Sequence, residues 1–568
     1  MRASWGKWNG AFYPNLCLSR IVKQAQTPGT FAAIIIIEMT AEQNARPNIS
    51  LWLLAIALFV VGVLFIRLIT SRYGPGVTGD SVDYLSVADN LKDQHSFIDY
   101  AGGIYLYWPP LYPVLLAVSS WLVKVGTFQV GGWINAISFG LLVVMGGLLF
   151  SQMYPGKLRW FLLGALLVLT ATPLLRLAAN IASDPLFILL VLAYALVGYK
   201  YLQTHAWQVL VGLALVAGTA SLVRWNGITL VAATVILALI AERKDWRRAL
   251  LKAFWAGALA GLPMAMWVLG RNYQLYGTLI GYGDLNQIKY IDDNLLDAVT
   301  KMTHWLLPDL VTRVISPLVL VGIFLIFAIL LNRKAGWRSY AGQLFSSKNL
   351  PWIVFTALYF PFVMITSIAP DHTTTFDDRY YAPLYLFTLL FLVITGYELV
   401  LKSLDRWRPT PLFGVKLSEI ILALILLGWM VYPLYQTAEY AYMAITQGEP
   451  SYNFYNTQAY NDSQLVQYLK EDELDPQIPR YSNFAAAAYF FTSHSTLRAP
   501  RSPLLVERSL EHLKTEFVDW PAGEQAYLIW FPQNSWHHYY PPEELRTVAN
   551  LERIFKSRDG DVYLVRPK

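Results

Sequence analysis

Leu51 to Thr70 is almost unbroken apolar sequence, close to the ~20 residues a helix needs to cross a bilayer. Comparable runs recur near 129–152, 158–177, 183–202, 206–223, 226–241, 249–270, 312–332, 350–369, 380–401 and 418–436, so the pattern predicts eleven spanning helices. Short cytoplasmic loops are enriched in Lys and Arg. With the first span running from inside to outside, eleven spans put the basic loops Ala241–Arg248, Asn332–Arg338 and Lys402–Lys416 on one side, the cytoplasm. Trp108 to Lys124 is also apolar, but counting it as a span would turn every later basic loop outward. It is therefore expected as a helix lying on the outer membrane surface.

The pattern changes beyond Leu434. Helical stretches at Ser463–Lys470 and Val506–Thr515 alternate with strand-like runs at Ala526–Phe531 and Val562–Val565, and Gly560 after Asp559 marks a hairpin turn. The fold class expected is an α-helical polytopic membrane protein, with about eleven transmembrane helices plus one interfacial helix, and a small C-terminal α/β domain outside the membrane. Residues 46–436 form the membrane domain and 437–568 the extracytoplasmic one. Residues 1–45 are set apart. Phe31 to Ile37 is too short to span, and the polar run from Met39 leads directly into the first helix. The leader is either disordered or misassigned, with Met39 or Met1 as the start.

Composition agrees with this architecture. Hydrophobic residues make up 55% of the chain and charged residues 14%, far from the balance of a soluble domain. The 20 Trp and 35 Tyr suit a chain with many membrane–water boundaries. A net charge of +6 is explained by the cytoplasmic loops and implies no nucleic acid. Cys17 is the only cysteine, so no intramolecular disulfide forms and an external domain must rest on core packing.

Three groups carry candidate chemistry. Gly79-Asp80-Ser81-Val82-Asp83-Tyr84 follows the first span, and Asp80, Asp83 and Tyr84 fall on one face of a helical turn. Asp80 fits either a helix cap or a reactive carboxylate. Asp184, before Pro185 at the outer entrance of the fourth span, fits the same two roles. Arg224, Arg271 and Arg379 stand at outer ends of spans, where ionisable groups pair or serve a site. Guanidinium binds phosphate oxygens bidentately, so three of them on one face would suit a phosphate; snorkelling or pairing with Asp377 or Asp378 is the plainer alternative. His537 and His538 lie among aromatic residues and fit ordinary packing or a surface.

The ordered set Gly79-Asp80-Ser-Val-Asp-Tyr84, Trp108-Pro-Pro-Leu-Tyr-Pro113, Ser183-Asp184-Pro-Leu, Arg271-Asn-Tyr273 and Asp378-Arg379-Tyr-Tyr381 resembles the type C glycosyltransferases. Within them it is similar to the branch holding protein O-mannosyltransferases and bacterial lipid A aminoarabinose transferases. The resemblance runs from about Leu51 to Leu401. It implies a polyprenyl-phosphate sugar as donor and transfer on the extracytoplasmic face of a bacterial inner membrane. It also implies Asp80 as the catalytic acidic residue and Asp184 as a second. Where the mannosyltransferases carry Asp-Glu, this chain has Asp80-Ser81.

From those substrates follows a mechanism in which Asp80 takes the acceptor's proton, assisted by Asp184. Arg379, then Arg271 and Arg224, meet the charge growing on the departing phosphate, and a single displacement inverts the anomeric centre. Asp83, Tyr84 and Tyr380 are expected to touch substrate. The partners expected are membrane lipid, the lipid-linked donor and a glycan, glycolipid or protein acceptor. No cofactor is called for; the alternative is a divalent metal on Asp80, Asp83, His372 and Asp377, as related oligosaccharyltransferases use. Two other readings share the spans: a transporter or flippase of lipid-linked sugars, and a non-catalytic scaffold that binds them. The absence of an internal repeat and the placement of the charges at one face speak against the transporter.

Overall fold

The computed structural model describes residues 49–153, 157–277, 291–308, 340–366, 378–396, 417–448, 455–471, 474–503, 507–534 and 538–568. Two compact units divide at Leu54 and Ala55, inside the first helix; of the first unit only the opening of that helix is described, and all that follows concerns the second.

The long helices are α1 (Ile49–Ile69), α2 (Gly79–Gln94), α3 (Leu111–Val123), α4 (Thr127–Met153), α5 (Lys157–Leu169), α6 (Thr172–Ala178), α7 (Asp184–Thr204), α8 (Trp207–Val223), α9 (Ile228–Ala241), α10 (Trp246–Trp267), α11 (Ile291–His304), α12 (Leu350–Thr366), α13 (Tyr385–Gly396) and α14 (Leu417–Thr446). Among the described residues, five helical stretches are long and apolar enough to cross a membrane: Ser50–Ile69, Thr127–Gln152, Asp184–Thr204, Trp246–Tyr276 and Ile420–Thr446. Four expected spans correspond to shorter apolar helices, Trp207–Val223, Trp225–Ala241, Leu350–Thr366 and Ala382–Gly396. The expected span at 312–332 lies outside the described residues. Apolar side chains such as Ile56, Val60, Leu64 and Leu68 remain exposed along α1, as a lipid-facing helix requires.

One expected span differs from a straight helix. The run 158–177 divides into α5 and α6, bent by 61°. Pro173 sits in the first turn of α6, where its missing N–H costs nothing and helps start a new helix. Elsewhere helices approach closely through glycine: a Cβ on Gly164 of α5 would run into the backbone of Gly146 on α4. The segment expected on the outer surface is α3, which buries Tyr112, Leu116 and Ala117 and exposes Trp121, Leu122 and Val123. That one-sided arrangement suits an interfacial helix.

The last described membrane helix, α14, runs on to Thr446, ten residues beyond the expected end of its span at 436. Past it come α15 (Gln464–Lys470), α16 (Ala485–Thr492) and a five-stranded sheet in the order β2-β1-β3-β5-β4. The strands are β1 (Arg480–Ser482), β2 (Thr496–Arg498), β3 (Ala526–Trp530), β4 (Ala549–Lys556) and β5 (Asp561–Pro567). β1 pairs parallel with β2 and β3, while β5 pairs antiparallel with β3 and β4. The turn between β4 and β5 needs Gly560, since a side chain there would strike the Trp530 carbonyl and Leu465.

Every residue of β3 is buried, which means that both faces of the sheet are covered. Leu528 and Trp530 join a core with Tyr540, Tyr563 and Val565. Tyr527 and Ile529 face the other way, into a core shared with α15, α16 and the membrane-proximal residues Val82, Leu85, Tyr112 and Leu116. The sheet region is thereby packed through α16 onto α2, the helix that carries Asp80.

Candidate active site

Helix α2 is capped by Thr78. Its side chain accepts from the Ser81 N–H while the Ser81 hydroxyl accepts from the Thr78 N–H, a reciprocal capping box. Of the two readings of Asp80, the helix cap is therefore not the one the structure shows. Asp80 stands in the first turn with its carboxylate free of capping duty, and it takes an ion pair from Arg379 Nη1 at 2.5 Å. Both side chains keep about a quarter of their surface exposed, 24% for Arg379 and 29% for Asp80. Arg379 lies in a 3₁₀ turn, Asp378–Tyr380, whose Tyr380 ring it overlies at 5.2 Å.

Asp184 opens α7, and again the capping role goes elsewhere: Ser183 occupies the cap position without a side-chain cap bond. The Asp184 carboxylate instead pairs with Arg224 Nη1 at 2.5 Å, both residues being buried at 3% and 7% exposure. Arg224 sits at the end of α8, before the 3₁₀ turn Trp225–Gly227. Ser183 links this pair to α2: its hydroxyl lies 3.3 Å from the Tyr84 hydroxyl and 3.5 Å from Arg224 Nη1. Ser81 adds a bond from its hydroxyl to the Ile181 carbonyl at 2.7 Å. On the other side, Asn226 donates to the Tyr359 hydroxyl at 3.2 Å, which donates to the Tyr380 carbonyl at 2.9 Å. The two ion pairs are close enough for Asp184 to act electrostatically on Arg379, and Arg379 on Arg224.

Asp83 faces the Trp108 indole, with Asp80, Asp99 and Arg498 in electrostatic reach. Burial first, then the charges of Asp80 and Asp99, push its carboxyl well above the ordinary range. Tyr84 packs edge-on against Tyr112 at 5.0 Å and leans on Trp108 at 6.2 Å.

Of the expected site residues, Asp80, Arg379, Tyr380, Asp184, Arg224 and Tyr84 form one connected group, with Asp83 one turn along α2. Arg271 stands apart from it. It lies in a π turn, Val268–Asn272, that extends α10, donates to the Tyr105 carbonyl at 2.9 Å and stacks on Trp267 at 4.3 Å. His372 and Asp377, two of the four residues considered for a metal, lie outside the described residues. Among the described residues no three His, Cys, Asp or Glu side chains gather as metal ligands. Ser183 and Tyr359, which tie the pairs together, carry no sequence signal of their own. Thr78 does, through the Thr-Gly-Asp-Ser spacing of a capping box.

No protein-family model matches the chain, and no curated protein sequence matches it significantly. Solved structures do. Over 90% of this chain and 97% of the other, the fold is similar to that of ArnT from Cupriavidus metallidurans, both bound to undecaprenyl phosphate and in the apo state. The TM-score is 0.55 at 13% sequence identity. A weaker likeness, TM-score 0.31 and 10% identity over 73% of this chain and 45% of the other, is to arabinosyltransferase EmbB from Mycobacterium smegmatis. The chain thus shares the fold of ArnT, and it is a multi-pass membrane protein.

Proposed function

We propose that this protein is an integral-membrane glycosyltransferase that moves a sugar from a polyprenyl-phosphate donor to an acceptor hydroxyl on the extracytoplasmic side of a bacterial inner membrane. The observation that carries the reading is the partly exposed Asp80–Arg379 pair, seated beside the buried Asp184–Arg224 pair. A fold shared with a protein solved with undecaprenyl phosphate supports the choice of donor.

The residues divide the work as follows. Arg379 binds the donor phosphate, drawing its guanidinium from Asp80 to the phosphate oxygens. Asp80 then accepts the proton of the acceptor hydroxyl as that oxygen attacks the anomeric carbon. The bond from that carbon to phosphate oxygen breaks with its electron pair staying on the phosphate, where Arg379 stabilises it. One displacement inverts the anomeric centre. Arg271, which stands apart from the two pairs, serves as a second cation for the phosphate only by leaving the Tyr105 carbonyl. Arg224 is committed to Asp184, and together they fix the end of α7 against Tyr84 and the helix bearing Asp80. Tyr380 braces Arg379, while Asp83 and Tyr84 line the acceptor side.

A strain lacking the gene, complemented at matched expression with wild type or Asp80→Asn, tests this by mass spectrometry of lipid-linked sugars and glycoconjugates. Asp80→Asn is expected to behave as the deletion does, accumulating one polyprenyl-phosphate sugar and losing one glycoconjugate. A full wild-type profile from Asp80→Asn would sink the assignment of the base.

A further inference from the structure

At the first turn of α2 lies a second feature. A cavity of about 310 Å³ opens between Gly79, the residue before Asp80, and the sheet region, with Tyr455, Phe484, Arg498, Arg501 and Tyr539 on its walls. Its volume is at the lower end of the ~300–1,000 Å³ typical of small-molecule sites.

Two arginines on its walls give it a positive charge. Arg508, Arg553 and Arg566 each stand within 4 Å of a carboxylate, those of Glu544, Asp561 and Glu552. Among the described residues, neither Arg498 nor Arg501 has a carboxylate within ion-pair distance. The Arg498 side chain bonds the Tyr100 phenol instead. Both arginines are held on fixed backbone. Arg498 ends β2, whose first residue, Thr496, donates its N–H to the Tyr100 carbonyl at 3.1 Å. Arg501 bridges Tyr539 as an isolated antiparallel pair. The first turn of α16, Ala485 and Ala486, also lines the cavity, and its cap residue Phe484 offers no side-chain acceptor to the N–H groups there. Those donors and the two guanidinium groups all favour an anion. Beside them the Tyr455 and Phe484 rings meet edge-on at 4.8 Å, giving an apolar wall next to the charged one.

We infer that this cavity is the acceptor subsite and that it takes an acidic saccharide, a sugar bearing a carboxylate or a phosphate. Resting on the transferase reading, the inference assigns Arg498 and Arg501 to the acid group and the aromatic wall to the sugar ring. A neighbouring hydroxyl is then presented past Gly79 to Asp80. The sheet region acts as the specificity element, held in place by the core it shares with α2.

The test uses the full chain in lipid nanodiscs and saturation-transfer NMR, with trigalacturonate, glucose 6-phosphate and neutral maltotriose as probes. At least one acidic probe is expected to bind where maltotriose does not, and which one binds separates carboxylate from phosphate recognition. The double variant Arg498→Gln/Arg501→Gln is expected to weaken that binding by about tenfold or more. Its binding of undecaprenyl phosphate should stay at the wild-type level, which also reports that it is folded. Acidic binding unchanged in the double variant, equal binding of maltotriose, or no binding by any probe would overturn the inference. Failure of the wild-type protein to bind undecaprenyl phosphate, with acidic binding intact, would instead strike at the donor assignment.

Discussion

The hairpin of α8 and α9 carries a cluster of opposite charges at each end. After α8, Arg224 meets Asp184, with Asp80 and Arg379 beyond. After α9, Glu242 meets Lys252 of α10, with Arg248 at 3.5 Å and His205 at 3.6 Å. Lys252 also donates to the His205 carbonyl at 2.7 Å. In both clusters basic side chains meet a carboxylate. What separates them is connectivity and exposure. The Glu242 cluster closes on neighbouring loops, joining α7, α9 and α10. The Asp80 cluster joins α2, α7, α8 and the turn before α13, and it leaves the Asp80 side chain 29% exposed where that of Glu242 is 10% exposed. Buried ion pairs are weak evidence of function by themselves; a buried pair beside a carboxylate that solvent and substrate can reach is better evidence.

The comparison predicts opposite consequences for activity and stability. The largest effect on transfer belongs to the open pair. Asp80→Asn is expected to lower turnover by about 10²–10⁴-fold, the range for a general base. Arg379→Gln should cost about 10²–10³-fold, the range for one donor aimed at developing charge. Both should melt near wild type, since a partly exposed pair contributes about 1 kcal/mol or less. A radiolabelled donor assay beside thermal melts in detergent reads both, and a large loss of melting temperature with little loss of turnover would reverse the assignment.

The buried pair comes next. Arg224→Gln leaves Asp184 as an uncompensated buried charge, expected to cost about 3–5 kcal/mol. Asp184→Asn strands Arg224 in the same way. Activity falls in both because the end of α7 loosens from Tyr84 and α2. Replacing both at once should recover part of the stability, which a double-mutant cycle measures. At the other end, Lys252→Met should cost about 2 kcal/mol, less because Arg248 remains beside Glu242. The folded fraction of that variant should transfer sugar at the wild-type rate, as a structural cluster requires.

The apolar runs were legible because their length alone selects a membrane helix, and strands β3 and β5 because alternating and aromatic residues mark them. The bend between Leu169 and Thr172 was not, since Pro173 reads as a continuation of an apolar run until the new helix start is seen. Asp80, Asp184 and the arginines stood out as charges at the ends of spans. Their pairing did not: Arg224 meets Asp184, and Arg379 meets Asp80, across segments that only the helix packing brings together. The capping alternative weighed for Asp80 and Asp184 fell one or two residues too late, although the Thr-Gly-Asp-Ser spacing did mark Thr78 as the cap of α2. The Arg498 and Arg501 cavity was illegible, since arginine is ordinary in a soluble domain and only the packing brings these two to the walls of one cavity.

The smallest effect sharpens the comparison most, because the two clusters shift a carboxylate in opposite directions. Asp83 is raised, by burial first and then by Asp80 and Asp99. The folded protein therefore holds that proton more tightly than the unfolded chain, and the ionised group opposes folding above the unfolded value of about 3.9. The penalty grows with pH until the folded value is passed, so Asp83→Asn should gain stability over wild type as pH rises and then level off. Burial also acts to raise Glu242, but the hydrogen bond and charge of Lys252, with Arg248 and His205, outweigh it and lower the group. Its contribution is fully present above the unfolded value of about 4.3 and is lost as pH falls through the lower folded value. Glu242→Gln should therefore be less stable than wild type at neutral pH, with the gap closing in acid. Melting curves of the two variants against pH would then diverge from wild type in opposite senses. Parallel curves would mean that the two clusters hold their carboxylates alike, and that strain stored at Asp83 is no mark of the active end.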